Sequence, residues 1–257
     1  MTALITGAAK RLGRAMALEL ATHGHDIAVH YNGSVEAAED TCAEIRALGV
    51  KAVPLQADLL DEDATQALLP RAADALGGID VLINNASIFE HDTIETATRS
   101  SWDRHIGSNL RAPFLLTQAL AAQLPGPDLD DNNEPVARGL VINMLDQRVH
   151  KLTPEFMTYT IAKMGLWAFT RTAAQALAPK ARVNAIGPGP TMQGGRQSAE
   201  HFAKQRAATI LERGADPQAI CEALRYFLTA KSVTGQLICV DGGQHLAWET
   251  PDVVGVE

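Results

Sequence analysis

The chain has 257 residues, 46% of them hydrophobic, and its 22 lysines and arginines stand against 30 aspartates and glutamates for a formal net charge of −8. That length and apolar content suit one large α/β domain or two small ones, with ample material for a buried core. The acidic balance, with no basic stripe and no aromatic-basic interleaving, argues against a nucleic-acid binder, and no apolar run reaches membrane-span length.

Read from the N-terminus, the opening MTALITG begins a strand pattern almost at once. This leaves no room for a signal or transit peptide and sets the expectation of a cytoplasmic protein. Short apolar runs then alternate with longer segments of helical period. Strands are predicted at residues 3–6, 26–31, 51–56, 80–83, 139–144, 182–186 and 237–240; between the second and third, Val35, Ala38, Cys42 and Ile45 recur at helical spacing and Gly49 closes the segment. Near-continuous Val, Ile and Leu strands separated by helices imply a parallel sheet covered on both faces. The expected architecture is therefore a single doubly wound, Rossmann-type α/β domain over residues 1–257, with seven strands.

The first strand feeds a helix through LITGAAKRLGRAMALEL, where Leu12, Met16 and Leu20 repeat at i, i+4. Gly7 and Gly13 in that turn suit a pyrophosphate, because free backbone N–H groups and the helix dipole both favour an anion; a tight turn with close packing is the alternative. Residues 125–135, PGPDLDDNNEP, read as an exposed insertion. The segment VINMLDQRVHKLTPEFMTYTIAK, residues 141–163, then places Asp146 at the end of a strand and Tyr159 and Lys163 at i, i+4 on one helix face. An ammonium near a phenol favours its ionised form, which makes the pair a proton-transfer device. Residues 187–202, rich in Gly and Pro, follow a strand where such sheets place substrate lids. The tail 244–257 is apolar in places and is expected to dock on a neighbouring subunit. Cys42, Cys221 and Cys239 are far apart and odd in number, so they read as small buried apolar residues, and neither they nor the scattered histidines have metal-ligand spacing. No metal is expected.

The turn at Gly7 to Gly13 resembles the T-G-x-x-x-G-x-G turn of the short-chain dehydrogenase/reductase family, and the resemblance continues across almost the whole chain. NNAS (Asn84 to Ser87) resembles the family's N-N-A-G, Asn109 the asparagine of its fourth helix, Tyr159 and Lys163 its Y-x-x-x-K, and Pro188-Gly189 and VDGG (Val240 to Gly243) its later landmarks. Three departures stand out: Arg11 replaces the middle glycine of the turn, Ser87 the last glycine of N-N-A-G, and Asp146 the usual serine thirteen residues before the tyrosine. Together with Phe89 after NNAS, they are similar to the pteridine reductases within the family.

The resemblance implies roles. Tyr159 would donate a proton, Lys163 would hold a nicotinamide ribose and lower the phenol's pKa, and Asn109 would support a water chain to the lysine, with bracing of buried backbone in a bent helix as its alternative. The implied cofactor contacts are Gly7, Lys10, Arg11, Leu12, Gly13, Tyr31, Asn32, Ser34, Asp58, Leu59, Asn85, Ala86, Ser87, Tyr159, Lys163, Pro188 and Gly189; Asp58 also reads as a strand-terminating turn residue. NADPH is expected over NADH. After the second strand the sequence is HYNGS, with no acid for the ribose hydroxyls. Lys10 sits where NADP-using relatives carry a base, or is a plain surface lysine, and Asn32 and Ser34 can donate to a 2′-phosphate. Gly33, however, stands where pteridine reductases carry an arginine.

For the substrate, the resemblance assigns Phe89 to stack on a pterin and Ser87 and Arg11 to its polar edge, although Arg11 also suits the pyrophosphate alone. An ionised aspartate only accepts hydrogen bonds, so Asp146 suits a heterocycle with N–H groups better than a ketone. A carboxyl of raised pKa beside Tyr159 would relay a proton to a ring nitrogen; capping of the following turn is the alternative. The expected activity is NADPH-dependent reduction of a pterin or folate-like ring, with a carbonyl reductase as the alternative and a non-catalytic NADP-sensing protein behind both. A homo-oligomer, tetramer or dimer, is implied by the family.

Overall fold

The structure, a computed structural model, describes residues 1–195 and 197–250. In chain order the strands are β1 (Thr2–Ile5), β2 (Asp26–Tyr31), β3 (Ala52–Gln56), β4 (Val81–Asn84), β5 (Asp128–Leu129), β6 (Pro135–Val136), β7 (Gly139–Met144), β8 (Ala181–Pro188) and β9 (Leu237–Val240). Seven of them form one parallel sheet in the order β3-β2-β1-β4-β7-β8-β9. Pro54, which has no N–H to give a ladder, lies in β3 at the sheet's edge. The order reverses at β1, between β2 and β4, so a crevice opens there at the carboxyl ends of the strands.

The helices are α1 (Arg11–Thr22), α2 (Val35–Ala47), α3 (Glu62–Leu76), α4 (Arg99–Ile106), α5 (Ala112–Gln123), α6 (Met157–Leu177), α7 (Ala199–Ala207) and α8 (Pro217–Thr229). The two-residue alternation of each strand divides the core between the two faces. Ala3, Ile5, Ile27, Val29, Ile83 and Ile142 pack with Met16 and Leu20 of α1, Ile45 of α2 and Phe227 of α8. Leu4, Ala28, Leu82 and Val141 point the other way, onto Leu68 of α3, Leu116 and Leu120 of α5 and Ala173 of α6. Both faces are dry, which is why the strands read as continuous apolar runs.

Two loop expectations need correction. The insertion at 125–135 is exposed but not plain loop: β5 and β6 pair antiparallel, and Asp130 Oδ1 closes their turn by accepting from Asn132 and Glu134 N–H while Asn133 takes a left-handed φ of 61°. The predicted substrate loop is shorter than 187–202. β8 runs to Pro188, whose ladder partner is Val240, and α7 already starts at Ala199, capped by Ser198 Oγ accepting from His201 N–H. The tail's last residues, 251–257, and Arg196 of the loop lie outside the described residues, so the expected docking of the tail has no structural counterpart here. Among the described residues no helix is long and apolar enough to cross a membrane. Cys42 and Cys221 are buried and Cys239 half-buried, all three as free thiols.

Candidate active site

The glycine-rich turn is built by close approach. Gly7 adopts φ +63°, and a Cβ at Gly13 would lie 2.2 Å from Gly7 O and 2.6 Å from Asn85 Nδ2, so neither position takes a side chain without moving backbone. Asn85 Nδ2 donates to Thr6 O at 2.8 Å, and Thr6 Oγ1 accepts from the N–H groups of Asn85 and Ala86 at 2.9 Å each, which locks NNAS against β1. His30 holds the other side: its Nδ1 accepts from Gly7 N–H at 2.9 Å and its Nε2 faces Ala57 O at 3.1 Å, a donor there because Nδ1 is the acceptor. Burial pushes this imidazole down to about 4, so it is neutral. α1 begins without a side-chain cap and without an acid in its first turn, leaving its leading N–H groups to an anion.

β7 and α6 deliver the proton-handling groups. Tyr159 O–H donates to Asp146 Oδ2 at 3.0 Å, with the phenol 5% exposed. Asp146 Oδ1 accepts from Arg148 N–H at 2.8 Å and starts a 3₁₀ turn over Gln147–Val149, so the carboxylate caps a turn and engages the tyrosine at once. The expected depression of the phenol by Lys163 is not what the structure produces. Burial first, and then the Asp146 charge and its hydrogen bond, raise Tyr159 well above its ordinary value. Lys163 is buried, its Nζ lies 5.6 Å from the Tyr159 ring centroid, and it donates to Met144 O at 2.7 Å. Burial pulls Lys163 down to about 8 against the opposing pull of Asp146. The group in hydrogen-bond contact with the phenol is thus the Asp146 carboxyl and not the lysine.

Asn109 lies in a π turn, Gly107–Arg111, between α4 and α5. Its Oδ1 accepts from Ile88 N–H at 2.9 Å and its Nδ2 donates to Ile88 O at 2.8 Å, the contacts of a side chain bracing buried backbone. That brace fixes the step from NNAS to Phe89.

Phe89 is 44% exposed and stacks on Phe156 with centroids 4.3 Å apart and planes 5° from parallel, while meeting Tyr159 edge-on at 4.7 Å. Phe156 escapes a sequence reading, because only its left-handed φ of 58° at the start of α6 turns the ring toward Phe89. Arg11 also has a left-handed φ, 56°, where the family carries glycine, and its guanidinium donates to Gln193 O at 2.9 Å and Met192 O at 3.2 Å. It ties the glycine-rich turn to the loop after β8. Ser87 Oγ makes a long bond to Ile88 O, at 3.4 Å.

A cleft of about 870 Å³ joins these groups: Gly7, Lys10, Arg11, Leu12 and Gly13 line one side, Asp146, Arg148 and Phe156 another, with Asn85, Ala86, Ser87 and Phe89 between and Pro188 and Gly189 across from them. Gly189 is held tightly there, since a Cβ on it would lie 2.6 Å from Asp241 Cα in the VDGG segment. Tyr159 and Lys163 sit beneath the wall. Tyr31, Asn32, Ser34, Asp58 and Leu59 are outside the cleft, at the ends of β2 and β3; Ser34 starts α2 without a capping bond, and Asp58 Oδ1 accepts from Leu60 N–H at 3.0 Å, the turn-residue contact.

The sequence also gives no sign of the support under Tyr159. Thr158 N–H donates to Asp92 Oδ1 at 3.1 Å and Thr158 O–H to Asp92 Oδ2. His105, fully buried, accepts from Glu90 N–H at Nε2, so its Nδ1 carries the proton and donates to Thr158 Oγ1 at 2.7 Å.

A doubly wound parallel sheet with its crevice at the strand-order switch, a helix start open to an anion and a buried tyrosine–lysine pair define an oxidoreductase of the dinucleotide-binding class. The chain belongs to the short-chain dehydrogenase/reductase family, for the family model described as "Enoyl-(Acyl carrier protein) reductase" matches residues 7–245. Among curated relatives, the 3-oxoacyl-[acyl-carrier-protein] reductase FabG of Staphylococcus aureus is 31% identical over 250 residues, covering 95% of this chain and 98% of the relative. Among solved structures, the FolM alternative dihydrofolate reductase 1 of Brucella suis, in complex with NADP, is 43% identical with a TM-score of 0.91, over 98% of both chains. A blue fluorescent protein from a metagenomic library, in complex with NADPH, is 27% identical with a TM-score of 0.84, covering 94% of this chain and 96% of that one.

Proposed function

We propose that the protein is an NADPH-dependent reductase of a pterin or folate-like ring. The observation that carries this reading is the 3.0 Å hydrogen bond from Tyr159 O–H to Asp146 Oδ2 at the floor of a cleft with an aromatic wall. The likeness to the Brucella FolM structure supports it.

The residues present fit a dinucleotide. The Gly7/Gly13 turn lets backbone approach a pyrophosphate at the start of α1, and Lys10, Asn32 and Ser34, with no acid beside them on the HYNGS segment, suit a 2′-phosphate. Asp58 and Leu59 would border the adenine, and Lys163 the nicotinamide ribose. When bound, the reduced nicotinamide supplies a hydride to a ring carbon. This chain supplies the proton to the adjacent ring nitrogen from the Tyr159 hydroxyl, and Asp146 holds that hydroxyl in place and accepts from ring N–H donors. Hydride and proton together saturate one C=N bond. Phe89, backed by Phe156, presents a flat surface for the ring, worth about 1 kcal/mol beyond area burial, and Ser87 lies at its edge.

A ketone reductase is the second reading, favoured by the FabG relatives. An acceptor-only carboxylate at 146 leaves a ketone oxygen with one donor in place of two. NADPH oxidation with a dihydropterin, a dihydrofolate and a ketone panel separates the two. Ring turnover that falls at least roughly 100-fold in Asp146→Asn is expected, given the usual contribution of general acid–base groups. Turnover of ketones alone, kept or improved in Asp146→Ser, would overturn the proposal.

A further inference from the structure

The cleft is basic inside an acidic molecule. Among the described residues its wall carries Lys10, Arg11, Arg148 and His201 but a single carboxylate, Asp146, while the whole chain has a net charge of −8. Lys10 and Arg11 lie on the glycine-rich turn, where the cofactor phosphates would sit. Arg148 lies on the opposite side, two residues beyond Asp146, with its guanidinium carbon 5.1 Å from the Phe156 ring centroid. A cofactor phosphate has no reason to be there.

Arg148 is poised and under-used. One terminal nitrogen donates to Thr153 Oγ1 and, at 3.4 Å, to Glu155 O, while its Nε is buried with no partner. It forms no ion pair among the described residues, and the carboxyl of Glu155, whose backbone carbonyl it touches, meets His91 Nε2 instead. A guanidinium has five N–H donors in a planar fork, and with one terminal nitrogen engaged by Thr153 and Glu155 the other lies on the cleft wall without a partner among the described residues, where an anion can accept from it. A pterin ring offers Asp146 its N–H groups but has no anion for Arg148.

We infer that Arg148 reads an anionic group, carboxylate or phosphate, on the tail of the ring substrate, so that the site takes ring substrates with a charged tail in preference to neutral ones. The tail leaves the stack over Phe89 and Phe156 and meets the fork laid across Phe156. This deepens the ring-reductase reading and rests on it.

The test is a split between substrates. Dihydrofolate carries carboxylates, a dihydroneopterin phosphate ester carries phosphate, and dihydrobiopterin carries neither; Arg148→Gln should raise KM for one or both charged substrates about tenfold more than for dihydrobiopterin, the loss of one charge-assisted contact. Arg148→Lys should recover part of it. Which charged substrate shifts identifies the anion. Equal shifts on all three, or none, would overturn the inference while leaving ring reduction intact. A second readout needs no turnover: calorimetric binding of the non-reacting oxidised ligands folate and biopterin to the NADP-loaded protein. Folate affinity that falls in Arg148→Gln and in high salt, with biopterin moving less, supports the anion site even if no ring is reduced. Equal losses for both ligands would reject it, and no binding of folate by the unmodified protein would reject the carboxylate, leaving the phosphate ester's KM in Arg148→Gln to decide.

Discussion

Asp146 and Tyr159 show how much a single substitution from the family pattern changes the chemistry on offer. A serine at 146 would donate; the aspartate accepts, and burial first, with the Asp146 charge and its hydrogen bond after it, raises the phenol well above its ordinary value. That the two share a site was legible only through the family resemblance, which puts the residue thirteen before the tyrosine beside it. Phe156 was not, since the stacking depends on a backbone dihedral that no neighbouring residue type dictates. At the phosphate end, Gly33 has open space where a Cβ would go and no positive φ. Gly33→Arg is therefore tolerated and should tighten NADPH binding by roughly tenfold through one charge-assisted contact, with NADH affinity unchanged. Fluorescence titration measures both, and equal tightening for the two cofactors would place the 2′-phosphate elsewhere.

At the scale of the element, α6 is the beam that carries Tyr159 and Lys163, and its start is unusual. Phe156, in the capping position, offers no side-chain oxygen, so Asp92, from a loop 66 residues earlier, accepts from Thr158 N–H in its place. Hydrogen bonds from Thr158 hold the Asp92 carboxyl below its usual range, although burial, the largest single influence, pushes the other way. Asp92→Asn turns an acceptor into a donor facing Thr158 Oγ1, which already receives the His105 proton. The expected cost is about 1–3 kcal/mol, a Tm drop of several degrees. An unchanged Tm by calorimetry would show that water replaces the carboxylate. The π turn before α5 and the late start of the loop after β8 were equally hidden, because both follow from contacts with distant backbone: Ile88 for the first, Val240 for the second.

For the whole molecule, burial of neutral histidines ties stability to pH. His30 has a folded-state value of about 4 against an ordinary 6.5, so the unfolded chain binds the extra proton first as pH falls. The stability it contributes is complete above about pH 6.5 and is lost progressively toward pH 4, on the order of 3 kcal/mol; His25 and His105, also lowered chiefly by burial, add in the same direction. Urea midpoints between pH 7 and 4 should fall steeply, and less so in His30→Gln, whose amide keeps both hydrogen bonds without titrating. Parallel slopes would assign the acid loss to other groups. Assembly is the other property at this scale. Trp102 of α4, Phe114 of α5 and Ile161 and Met164 of α6 are exposed apolar side chains on helices that pack beside one another. Light scattering is expected to give a dimer or tetramer mass, and a monomer would leave that surface unexplained.

The parallel sheet and its glycine-rich turn were already written in the order of residues along the chain. Apolar runs of strand length, helix periods between them and glycines where a Cβ would strike backbone are local requirements, met or failed within a few residues. The wiring of the site came from the folded arrangement alone. That Tyr159 answers to Asp146 and not to Lys163, that Arg11 holds the loop after β8, and that Arg148 faces the cleft across Phe156 all depend on angstrom-scale distances between separate elements. Electrostatics and hydrogen bonding fall off over those distances, and residue spacing along a chain does not encode them.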